Sequence, residues 1–202
     1  MTKEVFLKTL ATKGYDIGFG AKKNFASFDI INKLPSWIGF ISLAIGILQI
    51  AYENIIYNKE LSIILIFAGI AIIYLEVYKN KTDDYEKEGI RLTRLFNNMR
   101  DLYYKAKSDS SFRLETYENE YQNLLYEFYS KSISKQVFTS QWYAHFKFFY
   151  EMQIEWIDEQ LKFSFIKDKL PNSLKIIILI LLLILIIQFV NGYSQNLWWI
   201  CK

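Results

Sequence analysis

Residues 35–78 read PSWIGFISLAIGILQIAYENIIYNKELSIILIFAGIAIIYLEVY. Two apolar runs lie within this stretch. The first, Pro35–Tyr52, has 18 residues and no charge. As a helix it covers about 27 Å, close to the hydrocarbon thickness of a bilayer. The second, Leu61–Tyr78, has one charge, Glu76, near its end. Pro35 reads as a first-turn proline, where a missing N–H costs nothing. Trp37 and Tyr52 mark the two ends, as interfacial aromatics do. One such run could be the buried helix of a soluble protein. Two in succession, joined only by Glu53–Glu60, predict a transmembrane hairpin.

A third apolar run, Ile176–Val190, is the most hydrophobic of the chain, and the uncharged stretch continues to Cys201. With its flanks it is long enough to span, given local thinning of the bilayer; the other reading is a tail that only dips into the membrane. Lysines and arginines set the expected orientation. Residues 1–34 carry six and residues 79–175 carry sixteen, whereas loop 53–60 and the tail after the third run carry one each. The positive-inside rule then places the N-terminus and the middle segment in the cytoplasm and the C-terminus outside. Four segments follow: 1–34, a cytoplasmic N-terminal segment with an interfacial helix; 35–78, the hairpin; 79–175, a cytoplasmic helical body; 176–202, a third transmembrane helix and tail. The expected fold is an all-α membrane protein.

Within 1–34, Ala21–Leu34 reads as a short amphipathic helix with Phe25, Phe28 and Ile31 on one side. It suits either the membrane interface or the surface of the body. In the middle segment, Ile90, Leu95, Met99 and Leu102 predict a helix over Asp83–Lys107. Leu114, Tyr117, Tyr121, Leu124 and Phe128 recur at 3, 4, 3, 4 over Phe112–Lys131, a heptad seam suited to an antiparallel helix pair. Val137–Lys169 reads as one long aromatic-rich helix, ended by Pro171, in which Trp142, Phe149 and Trp156 are material for body or oligomer packing. One arrangement continues the second span into the first body helix, and the third body helix into the last span.

Little in the chain points to catalysis. Net charge is +3, too small to argue for a direct nucleic-acid site. The single cysteine, Cys201, and single histidine, His145, build neither a disulfide nor a metal cluster. Gly14, Gly18 and Gly20 with Lys22–Lys23 fail the spacing of a phosphate loop and of a dinucleotide fingerprint. A glycine-bearing turn that brings backbone against a neighbour is the expected role. Glu151, Glu155 and Asp158 read as a solvated helix face. No cofactor is expected and no enzyme is indicated.

The first span is more informative. At 100° per residue, Gly39, Ser42, Gly46, Gln49 and Glu53 fall in an arc of about 80°. Small residues allow close helix approach, while polar ones inside a span must be paired or wet. The stripe is therefore a packing seam or the lining of a pore. Glu76 is a candidate for an inner cation-attracting vestibule or an ion-pair partner of Lys79. Three spans enclose no aqueous path, so transport would need a homo-oligomer in the lipid bilayer.

KGYDIGFGAKKNFASFDIINKLPSWIGFISLAIGI (13–47), NKELSIILI (58–66), EGIRLTRLFNNMRDLYY (88–104) and SISKQVFTSQWYAHFKFFYEMQIEWIDEQLKF (132–163) together resemble the SLATT family, the SMODS- and SLOG-associating two-transmembrane effector domains. The wording is closest to its fifth subfamily, and the resemblance covers roughly residues 5–190. It implies an effector of bacterial conflict and antiphage systems that forms a membrane pore and causes growth arrest or abortive infection. It further implies a trigger from other operon products, such as a nucleotide signal, and for the fifth subfamily a partner reverse transcriptase or its nucleic-acid product. The other expectation is a membrane-anchored scaffold that recruits such a partner and conducts nothing. A third span departs from the two-span description of the family.

Overall fold

The computed structural model describes the backbone except at residues 53–55, 132, 134, 201 and 202; the side chains of 189–200 are also left undescribed. The described residues form seven α-helices in two units, residues 1–162 and 163–202, and contain no strand.

In the first unit, α1 spans Lys3–Ala51, 49 residues without a break, or about 74 Å of rod. It starts on Thr2, whose hydroxyl accepts the Val5 N–H. It is the central helix of the body as well as the first membrane helix. This decides one open expectation and corrects two. Residues 3–31 pack into the body rather than forming a separate interfacial element, with Phe6, Leu10, Ala11, Ile17, Ala21 and Ala26 fully buried. Pro35 lies inside α1, not at its start. Its ring forfeits one helix hydrogen bond, at a cost of about 3 kcal/mol. Both flanks are held helical, one by the body and one by an apolar run that must satisfy its backbone internally in lipid. The glycines at 14, 18 and 20 form no turn. They give α1 a bare flank, onto which the rings of Trp156, Phe96 and Phe148 press at Gly14 and Gly18.

α2 (Asn58–Glu76) completes the hairpin. Val77, Tyr78 and a 3-10 turn, Lys79–Lys81, separate it from α3 (Thr82–Ser108), so the two do not form one helix. α3 lies antiparallel to α1: Gly89 meets Phe25, Leu92 meets Gly20, and Phe96 meets Gly18. At its far end the backbone oxygen of Asp109 accepts from Lys3 Nζ at 2.6 Å. α4 (Leu114–Tyr129) returns along α3. Its Tyr117, Tyr121 and Leu124 are buried, and Leu114 and Phe128 are half-buried. Phe6 sits among Phe112, Tyr117 and Tyr121.

The long helix expected over 137–169 is instead two short ones, α5 (Ser140–Glu151) and α6 (Glu155–Leu161). Met152 is extended, and the break turns Ile154, Trp156 and Ile157 into the core. Lys162 adopts the left-handed conformation (φ 52°) and ends α6. No helix therefore runs from the body into the last apolar run. Trp156 is buried and Phe149 nearly so, while Trp142 is half-exposed.

The second unit contains α7, Asn172–Ile200. Its described apolar stretch, Asn172–Gln188, is shorter than a span. Among the described residues two helices, α1 and α2, are long and apolar enough to cross a membrane, and their apolar windows are almost entirely uncovered.

Candidate functional site

Where α1 leaves the body, Ile30 and Ile31 pack with Leu75 of α2, Tyr85 of α3 and Val137 of the α4–α5 connector; Phe28, Tyr78, Ile133 and Tyr143 surround them. This cluster joins both membrane helices to the body. The connector is tied here by side chains from three helices. Tyr85 Oη donates to the Lys135 carbonyl at 2.6 Å. Arg91 donates to the carbonyls of Glu127 (2.6 Å) and Lys131 (3.1 Å). Buried Glu88 grips Arg91 through both oxygens, at 2.9 and 2.7 Å. Ser27 Oγ donates to Gln136 Oε1 at 2.7 Å, and Gln136 Nε2 donates to Asn24 Oδ1 at 3.3 Å. The Phe138 N–H donates to Tyr74 Oη of α2 at 3.2 Å.

One helical turn before the membrane segment, buried Asp29 accepts from Lys147 of α5 at 2.8 Å and from Lys33 at 2.7 Å. Burial works to raise the Asp29 carboxyl, but the two ammonium groups outweigh it and hold it below the ordinary range. Burial likewise opposes the charge on Lys147, and Asp29 overcomes it. Burial and the nearby Lys147 push Lys22 down, against the weaker opposing pull of Glu151.

A single pattern runs the length of α1. From Lys3 to Gln49, every residue reached by alternating steps of four and three is buried or half-buried. Gly14, Ile17, Ala21 and Asn24 carry it through the body; Pro35, Ile38, Ser42, Ile45 and Gln49 carry it through the hairpin. In α2 the half-buried Leu61, Leu65, Ala68 and Ile72 and the buried Leu75 form the matching seam. This is coiled-coil spacing. Of the small and polar stripe, Ser42, Gly46 and Gln49 fall on the sheltered side and Gly39 is exposed. Glu53 lies outside the described residues. Gln49 Nε2 donates to Asn58 Oδ1 (2.6 Å), the Asn58 carbonyl (3.1 Å) and Ser62 Oγ (3.2 Å), clasping the hairpin near its tip. A side chain at Gly39, Gly46 or Gly69 would meet nothing within 4 Å. Glu76 forms an exposed pair with Lys79 at 3.0 Å.

Among the described residues, no group of histidine, cysteine, aspartate and glutamate could hold a metal. The polar junction residues Asn24, Ser27, Asp29, Tyr85, Arg91, Lys147 and Gln136 were not singled out from the sequence. For Asn24 the signal was present, a polar residue at a seam position of an otherwise apolar heptad, but it becomes readable only once 3–49 is taken as one helix.

Residues 1–178 match the family model described as SMODS and SLOG-associating 2TM effector domain 6. The match is to the sixth subfamily, which corrects the fifth suggested by the wording of the helices. No curated protein and no solved structure matches the chain.

Proposed function

Because this chain belongs to the SMODS and SLOG-associating 2TM effector family, we propose that it acts as a gated, oligomeric pore that depolarises the bacterial inner membrane and halts the infected cell. It is an all-α membrane protein, and its family points to an effector in conflict systems. The observation that carries the reading is α1. One uninterrupted helix is at once the centre of the body and the first wall of the hairpin. A signal that repacks the body therefore acts directly on a membrane helix, provided it binds one arrangement better than the other.

Two helices enclose no water path, so several copies assemble around one. Gly39, Gly46 and Gly69, open in the protomer, let helices of neighbouring copies approach closely. The body faces the cytoplasm, in keeping with the lysine and arginine distribution; the described apolar part of α7 is too short to span by itself, and the uncharged sequence that continues it to Cys201 completes a third span with its far end outside. The trigger is an operon partner or a nucleotide signal. A reverse transcriptase or its product rests on the fifth-subfamily wording alone, which the family match does not carry. Conductance from the purified chain in liposomes supports the pore. Tight liposomes at every protein density, with and without the operon partners, refute it.

A non-conducting membrane scaffold is favoured by one observation: Gln49 is bonded within the hairpin rather than left free to line a path. Bulky residues at Gly39 and Gly46 separate the readings, since a scaffold tolerates them and a pore does not.

A further inference from the structure

We infer that the cleft between α1, α3 and the α4–α5 connector binds a compact organic anion carrying an aromatic ring. The cleft has a volume of about 290 Å³, near the lower end of small-molecule pockets, about 300 Å³. A second cleft of about 300 Å³ between α3 and α4 provides the contrast. There Lys105 is matched by Glu120 at 3.2 Å, and Glu127 by Arg94 at 2.7 Å. In the connector cleft it is the carboxylates that are already spent. Asp16 is engaged by Lys13 at 3.1 Å, and Glu88 by Arg91 at 2.7 Å. Its two lysines, Lys23 on α1 and Lys131 on the connector, have no carboxylate partner among the described residues.

Two uncompensated cations, 108 positions apart in sequence, thus converge on one cleft. An anion in the cleft gains attraction from both. Phe128 and Tyr129 line the same cleft, the Tyr129 ring with Lys13 Nζ 5.8 Å from its centroid, and supply aromatic surface for a planar group. Gln136, whose carboxamide bridges Ser27 and Asn24, lines it as well and can add a hydrogen bond. Arg91 holds the Lys131 carbonyl in place, so the connector side of the site is positioned in advance.

An occupant would bridge α1 to the connector, the segment whose Val137 packs with Leu75 and whose Phe138 N–H bonds Tyr74. Occupancy then bears on where α2 leaves the body. That regulatory consequence rests on the proposed pore; binding itself does not.

The test is titration calorimetry on the full chain in detergent, with phenyl phosphate as the probe, inorganic phosphate as the ringless comparison, and liposome conductance recorded alongside. Saturable binding of phenyl phosphate is expected. The pair Lys23→Gln and Lys131→Gln should weaken it at least tenfold, Lys23→Arg with Lys131→Arg should restore it, and Lys105→Gln should leave it unchanged. These exposed or half-exposed lysines can change without unfolding the body. The inference is overturned by no saturable binding, by equal binding in the double glutamine variant, by an equal loss in Lys105→Gln, or by inorganic phosphate binding as tightly. Binding without any conductance would sink the pore reading and leave this site standing.

Discussion

Gly14 of α1 and Trp156 of α6 meet as bare backbone against indole. A Cβ built on Gly14 would collide with Trp156 Cη2 and lie 2.7 Å from Cζ2. Trp156 also packs on Phe96 and Tyr103, at centroid distances of 5.6 and 5.1 Å. The membrane-distal half of the body therefore closes through this contact.

Gly14→Ala should destabilise the body by about 1–3 kcal/mol through overpacking, and Trp156→Ala by about 3–5 kcal/mol through the cavity it leaves. The double variant should cost less than the sum, because removing the ring makes room for the methyl group. Thermal unfolding in detergent reads all three, and strict additivity would mean that the contact is not formed.

Asp29→Asn leaves Lys147 sheltered with its main partner gone. Breaking a fully buried pair costs about 3–5 kcal/mol; with both side chains slightly exposed, a loss of about 2–3 kcal/mol is expected. The pH dependence has a definite sign. The folded carboxyl lies below its ordinary value, so its contribution is complete above the unfolded pKa of about 3.9 and is lost as pH falls through the folded value. Melting temperatures from pH 6 to 2 should show that acid-side loss in the parent and a smaller one in Asp29→Asn.

Gln49→Leu removes the clasp to Asn58 and Ser62. Hydrogen bonds between membrane helices average about 0.6 kcal/mol and reach about 1.7; with three contacts at one amide, about 1 kcal/mol is expected. Denaturation in mixed micelles should show a weakened hairpin with the body's transition unmoved. A shift in the body transition alone would place Gln49 elsewhere.

Pro35→Ala restores the helix hydrogen bond that the ring forfeits and should raise stability by about 1–3 kcal/mol. If α1 transmits body repacking to the hairpin, stiffening it at the body–membrane boundary also changes the trigger level needed for depolarisation. A more stable protein with an unchanged trigger response would show that Pro35 has no part in transmission.

The parts of the fold legible in the sequence are those that a local pattern specifies. The runs 35–52 and 61–78 are apolar all round and matched α1's second half and α2. The 3–4 spacing from Leu114 to Phe128 marked α4, and Ile90 to Leu102 marked α3. What stayed hidden depends on tertiary contact. Pro35 is a conventional stop signal, and the packing of 3–31 in the body overrides it. The glycines near residue 14 read as a turn, because nothing local says that Trp156 will need their bare flank. The break at 152–154 exists to turn Trp156 inward, which the helical spacing of 138–163 conceals. At the junction, Gln136 and Arg91 lie far in sequence from the groups they hold, so no spacing could pair them. Of the first-span stripe, the arc was readable, but not that α2 would claim Gln49.

Permeabilisation of the membrane on command is read most directly as membrane potential, followed with a voltage-sensitive dye in bacteria expressing the chain with its neighbouring genes during phage infection. A gated pore depolarises the cell only after infection, an effect abolished by Gly39→Leu with Gly46→Leu while the protein stays inserted. Protection from phage with the potential intact throughout would contradict it and leave the scaffold as the function.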